Sequence, residues 1–142
     1  MGGGLVEDEK LIDALRFVGA DQFLDPEVAF KPSLRIIASD RLEAEFIVAP
    51  GYYLYREQFK FVANGATLGT PDIPPGKVKF DETFQKNVET YRGELRIRVP
   101  VTQASGAFPL NVVSQGCADA GLCYPPMTST ALVSLAGFGG DG

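Results

Sequence analysis

The chain has 142 residues, 45% hydrophobic and 22% charged, with a net charge of -5, two cysteines and no histidine. That balance suits one globular domain with its own core, and the acidic sign argues against a nucleic-acid partner, which needs clustered Lys and Arg. Without histidine there is no Ser-His-Asp triad, no Cys-His nucleophile pair and no His-ligated metal; two thiolates fall short of a four-ligand zinc site, so neither metal nor cofactor is expected.

Residues 1–22 read as an N-terminal arm or tag remnant. Met1-Gly2-Gly3-Gly4 has the look of an expression scar, so the lack of a visible signal peptide does not place the protein in the cytoplasm. Within the arm, residues 5–19 fit a short helix, with Leu11, Leu15 and Val18 on one face; a mobile arm fits equally. No apolar run is long enough to span a bilayer.

From Phe23 the pattern changes to period two. In Arg41–Val48, Leu42, Ala44, Phe46 and Val48 alternate with Arg41, Glu43 and Glu45. In Glu94–Val99, Leu95, Ile97 and Val99 alternate with Glu94, Arg96 and Arg98. Each reads as a strand with one face buried and the other, charged face in water. Weaker strand signals cover Ser33–Ala38, Gln58–Val62, Leu110–Gln115 and Thr128–Leu135. Between them lie the turn signals Ala49-Pro50-Gly51, Ala63-Asn64-Gly65, Pro74-Pro75-Gly76, Ser105-Gly106 and Pro125-Pro126. Short strands with frequent turns predict an all-β sandwich or barrel over 23–135, followed by a Gly-rich linker over 136–142.

Chemistry points to Cys117 and Cys123. A strand runs into this segment and another leaves it, so the pair flanks a hairpin-like connection. Gly116 and Gly121 permit the positive φ a tight loop needs, and Pro125-Pro126 stiffen the exit. A disulfide closing so short a loop contributes roughly 2–2.5 kcal/mol in the chain-entropy model, against about 4–5 for a loop of a hundred residues. The spacing leaves two readings open: a staple on the hairpin, or an exchanging redox pair. Asp119 is the nearest charge, and no Lys or Arg flanks the cysteines, so no strongly activated thiolate is expected.

Other residues carry weaker signals. Tyr52, Tyr53 and Tyr55 read as core aromatics. Phe84 is a lone aromatic among Asp81, Glu82, Thr83, Gln85, Lys86 and Asn87, which suggests a loop holding one apolar residue against something. Asp81 and Glu82 read as solvated, with the alternative that one of them tunes a thiol. Arg96 and Arg98 face outward and need no function.

The segment Gln115-Gly116-Cys117-Ala118-Asp119-Ala120-Gly121-Leu122-Cys123-Tyr124-Pro125-Pro126 closely resembles the cysteine motif of the DsbD N-terminal periplasmic domain family. Gly51-Tyr52-Tyr53-Leu54-Tyr55-Arg56 is similar to that family's GYYLYR segment. Phe84 with Glu89 and Tyr91-Arg92 is similar to its cap-loop region. The resemblance spans about Phe23 to Leu135. It implies an immunoglobulin-like β-sandwich with the cysteine pair at one end, acting as a protein-disulfide reductase in the periplasm as a soluble domain of an inner-membrane protein. The implied electron donor is a thioredoxin-like C-terminal domain of the same parent. The implied acceptors are periplasmic disulfide isomerases and cytochrome c maturation thioredoxins. By position, Cys123 would form the mixed disulfide and Cys117 would resolve it. Phe84 would be the cap, and Tyr53, Tyr55 and Glu82 would shape the cap and docking surface. The chain departs from an Asp-Glu-Phe-Tyr-Gly cap at Thr83, Gln85 and Lys86. The competing reading is a non-catalytic immunoglobulin-like interaction module with a structural disulfide.

Overall fold

The computed structural model describes residues 23–136. The expected arm over 1–22, with its helix, and the tail from 137 lie outside the described residues. In chain order the strands are β1 (Pro32–Ala38), β2 (Arg41–Val48), β3 (Tyr52–Tyr55), β4 (Lys60–Ala63), β5 (Ala66–Leu68), β6 (Lys77–Asp81), β7 (Lys86–Tyr91), β8 (Gly93–Ala104), β9 (Phe108–Ser114), β10 (Gly116–Ala118) and β11 (Met127–Val133). They form three antiparallel sheets, ordered β1-β2-β8-β5, β10-β3-β7-β6 and β11-β9-β4.

The clearest alternation builds the centre. β2 and β8 pair in unbroken register from Arg41↔Pro100 to Val48↔Gly93. Leu42, Ala44 and Phe46 of β2 and Leu95, Ile97 and Val99 of β8 point inward, where they meet Phe108, Leu110 and Val112 of β9 and Leu54 and Tyr91 of the second sheet. This face-to-face burial makes the immunoglobulin-like sandwich that the resemblance implies.

The outward face of β2 differs from expectation at one residue. Glu43 is 3% exposed rather than solvated. Arg35 donates to it from β1, and Arg96 and Arg98 flank it from β8, so their side chains cover the carboxylate. Long cationic side chains lying along a sheet bury what they pair with.

The weaker strand signals become β1, β4, β9 and β11, with shifted ends. Near Phe23 the chain is not extended: Pro26–Ala29 makes a single helical turn, α1, with proline at its start, where the fixed φ suits a helix. Five strands carried no legible alternation. All four residues of β3 are buried, as are all three of β10, so period two vanishes from their sequences.

Candidate functional site

Three segments far apart in sequence converge on the disulfide between Cys117 and Cys123, whose Cα atoms lie 4.0 Å apart. The first is β3, where the pleat sends alternate residues to opposite faces. Tyr52 and Leu54 join the main core, and Tyr52 accepts the Leu24 N–H. Tyr53 and Tyr55 turn the other way and cluster with Val88 and Cys117. The core reading therefore holds for Tyr52, whereas Tyr53 and Tyr55 stand beside a cysteine.

The second segment is the cysteine hairpin. β10 pairs with β3, placing Cys117 opposite Tyr53. The turn is closed by Ala118 N–H to Leu122 O, Gly121 N–H to Ala118 O and Tyr124 N–H to Gly116 O. Gly121 has φ +115°, as the turn requires. Gly116 does not adopt positive φ; it is there for close approach. A Cβ on it would lie 2.3 Å from the Tyr53 carbonyl oxygen and 2.6 Å from the Phe30 ring.

The hairpin presents its two cysteines unequally. Cys117 is 1% exposed, whereas Cys123 is exposed. Tyr124, which leads into the stiff Pro125-Pro126 exit, does not face outward. It is buried against Phe30 and Tyr52, and its hydroxyl donates to the Leu24 carbonyl. Pro125 and Pro126 are exposed.

The third segment is the β6–β7 hairpin, whose register closes at Asp81↔Lys86. The polar run around Phe84 is thus strand at both ends, with a turn only over 82–85, closed by Gln85 at φ +56°. Phe84 is 37% exposed and sets its ring edge-on to Tyr55, centroids 5.0 Å apart. The Thr83 hydroxyl lies 3.9 Å from the Cys123 sulfur. The Glu82 side chain is exposed, and its carbonyl accepts from the Gln85 amide.

Asp81 is buried, not solvated. It accepts the Tyr55 hydroxyl at 2.6 Å and the Phe84 N–H at 3.0 Å. Burial pushes its carboxyl up, but the Tyr55 hydroxyl, the Phe84 and Thr83 N–H groups and Lys79 together hold it below the usual range. Burial and the neighbouring carboxylate push the Tyr55 hydroxyl far up, so it stays protonated. The same hydroxyl oxygen lies 3.1 Å from the Cys117 sulfur.

Tertiary structure also changes the charge near the cysteines. Arg92 grips Asp119 with two hydrogen bonds, at 2.7 and 3.0 Å. That bonding holds the Asp119 carboxyl below its ordinary value and offsets the negative charge that the sequence places between the cysteines. Lys79 lies over the Tyr53 ring, 3.6 Å from its centroid, with Arg92 5.2 Å away. The sequence reading missed Thr83, Arg92 and Lys79 as neighbours of the site. Lys79 had no signal, whereas Thr83 and Arg92 had one through their places in the cap-loop region. Among the described residues, no cluster of three or more Cys, Asp or Glu is placed to hold a metal ion.

The family model for the N-terminal domain of the thiol:disulfide interchange protein DsbD matches residues 20–135. The DsbD of Ralstonia nicotianae is 51% identical over 118 residues, covering 82% of this chain and 19% of that protein. The DsbD of Pseudoalteromonas atlantica is 40% identical over 95 residues, covering 67% of this chain and 16% of that protein. The chain thus spans about a fifth of the length of the curated relatives it matches. Among solved structures, the reduced DsbD N-terminal domain of Neisseria meningitidis superposes with a TM-score of 0.74 at 31% identity, covering 82% of this chain and 94% of that one. A complex between the DsbD and PilB N-terminal domains of the same organism superposes with a TM-score of 0.67 at 36% identity, covering 77% and 85%.

Proposed function

Because the chain belongs to the family of DsbD N-terminal domains, we propose that it reduces disulfides of partner proteins through Cys123 and is itself re-reduced by a thioredoxin-like domain of its parent. The observation that carries this reading is the unequal burial of one bonded pair: Cys123 is exposed and Cys117 is 1% exposed. A staple has no use for such asymmetry. Exchange does, because the attacking sulfur must reach its target from outside, and access decides which sulfur reacts.

In the working direction, the Cys123 thiolate attacks the partner's disulfide. A bond forms between Cys123 and one partner sulfur, and the other partner sulfur leaves with the electron pair and takes a proton from water. Cys117 then attacks Cys123, releasing the second partner sulfur. Two electrons have passed to the partner, and the domain holds its disulfide. A reduced thioredoxin-like domain reverses these steps. Phe84 and Glu82, on the turn beside the pair, serve as cap and rim, and Tyr53 and Tyr55 shape the surface beneath. The complex solved for the Neisseria relative with the PilB N-terminal domain supports docking of a folded partner domain. Periplasmic disulfide isomerases and cytochrome c maturation thioredoxins are the acceptors this reading favours. It places the domain in the periplasm, tethered through its parent to the inner membrane. No described helix is long and apolar enough to cross a membrane.

The test is covalent trapping. With Cys117→Ser, the remaining Cys123 accumulates a mixed disulfide with an oxidised thioredoxin-like domain, identified by mass spectrometry. With Cys123→Ser, trapping largely fails. Equal or preferred trapping through Cys117 reverses the roles, and no trapping by either variant removes the exchange reading.

A further inference from the structure

We propose that Tyr55 is a catalytic residue of the exchange reaction, turning its hydroxyl proton from Asp81 to the Cys117 sulfur when the disulfide opens, with Asp81 as the positioning residue that holds the proton while the disulfide is closed. This deepens the function proposed above and rests on it.

When an incoming thiolate attacks Cys123, a bond forms to the Cys123 sulfur and the bond to Cys117 breaks. The electron pair goes to Cys117, which leaves as a thiolate. Cys117 is 1% exposed and packed among Tyr53, Tyr55 and Val88, so water cannot solvate that charge, and an unpaired buried thiolate is costly. Among the described residues, the Tyr55 hydroxyl oxygen lies within reach of that sulfur, at 3.1 Å.

A tyrosine hydroxyl has one proton. While the disulfide is closed, that proton goes to the Asp81 carboxylate at 2.6 Å, because a carboxylate accepts far better than a disulfide sulfur. Once the sulfur is a thiolate, rotation about the Tyr55 C–O bond turns the proton to it. Asp81 is not left bare: its other oxygen keeps the Phe84 N–H at 3.0 Å, and Lys79 is a nearby cation. When Cys117 attacks Cys123 in the opposite direction, the proton swings back. No proton is consumed, and no reactant is needed beyond the attacking thiolate.

The arrangement predicts opposite effects for two nearly isosteric variants. Tyr55→Phe removes the donor and slows opening. Asp81→Asn removes the competing acceptor and the negative charge behind the leaving sulfur, so opening speeds up. The experiment is stopped-flow reduction of the oxidised domain by dithiothreitol. This needs no protein partner, so its outcome is separate from that of the trapping test. Tyr55→Phe is expected to slow reduction about tenfold or more, the scale of one hydrogen bond to a charged group. Asp81→Asn should accelerate it, and that gain should shrink when Tyr55→Phe is also present. Proton NMR gives a second signature: a low-field Tyr55 hydroxyl resonance in the oxidised parent, absent in Tyr55→Phe and moved upfield in Asp81→Asn.

An unchanged rate in Tyr55→Phe overturns the role of Tyr55. A full gain from Asp81→Asn in the Tyr55→Phe background shows that Asp81 only holds the turn, and overturns its part. If Tyr55→Phe does not fold, Asp81→Asn decides alone, and an unchanged or slower rate refutes the proposal.

Discussion

Gly116→Ala probes the close packing beneath the cysteine hairpin. The added Cβ would lie 2.3 Å from the Tyr53 carbonyl oxygen and 2.6 and 2.7 Å from two carbons of the Phe30 ring. Neither obstacle can yield freely. The carbonyl belongs to β3, which holds β10 through the Gly116↔Leu54 and Cys117↔Tyr53 pairs and the Tyr55 N–H to Gln115 O bond. Phe30 is 1% exposed and packed edge-on against Tyr52 and Tyr124. The variant must therefore part β10 from β3 or force the ring aside. Overpacking of this kind costs about 1–3 kcal/mol, and a lost backbone hydrogen bond adds about 1. A loss of about 3 kcal/mol lowers the melting temperature of a domain of this size by about 10 °C. Because Cys117 follows Gly116 directly, the parting also exposes the buried sulfur. Calorimetric melting of the oxidised variant, paired with its rate of reduction by dithiothreitol, measures both effects. A variant that melts with the parent and is reduced at the parent's rate would refute the packing argument.

Three further outcomes are expected. Phe84→Ala removes the ring set against Tyr55; an aromatic pair is worth about 0.5–1.5 kcal/mol, so dithiothreitol should reduce the variant about two- to tenfold faster, and an unchanged rate removes the shielding role. Reducing the Cys117–Cys123 bond, which spans a sequence separation of only 6, should lower stability by about 2–2.5 kcal/mol and leave a folded domain; a reduced form that is unfolded at room temperature would favour the staple. The Glu43 carboxyl is held below its usual value chiefly by its hydrogen bond to Arg35, against the upward push of burial and helped by Arg96 and Arg98. Its contribution is therefore complete above the ordinary carboxylate pKa and lost as pH falls through the lower folded value. Glu43→Gln should cost about 2 kcal/mol at neutral pH, and urea melts of parent and variant should converge in acid; parallel profiles would sink the idea.

Much of the fold was legible because one physical signal was strong. β2 and the core of β8 alternate cleanly, since each buries one face against the opposing sheets and shows charge on the other. Turn residues marked the ends of β2, β4 and β8 and the starts of β9 and β11. The cysteine pair was visible as chemistry, and its likeness to a known motif pointed to exchange. β3 and β10 were not legible, because strands buried at every position lose the alternation that identifies them. Glu43 read as solvated, since covering it takes arginines from both neighbouring strands.

The site divides in the same way. Residue type and local spacing alone singled out Cys117, Cys123 and Phe84, because thiols and a lone aromatic in a polar turn are local facts. Which sulfur is buried is not local: it depends on β10 lying against β3, with a glycine allowing the close approach. Asp81 read as a surface acid because it opens the polar run around Phe84. The β6–β7 pairing carries it beneath Tyr55, 26 positions away in the chain, and β3 carries Tyr55 to Cys117, 62 positions away. Asp119 read as an unopposed charge, but the fold brings Arg92, the residue just after β7, to pair with it. Sequence alone determined which groups can react, since that follows from residue type. Tertiary structure decided which are reachable, charged or paired, because burial and electrostatics depend on distances between strands that pair across the fold.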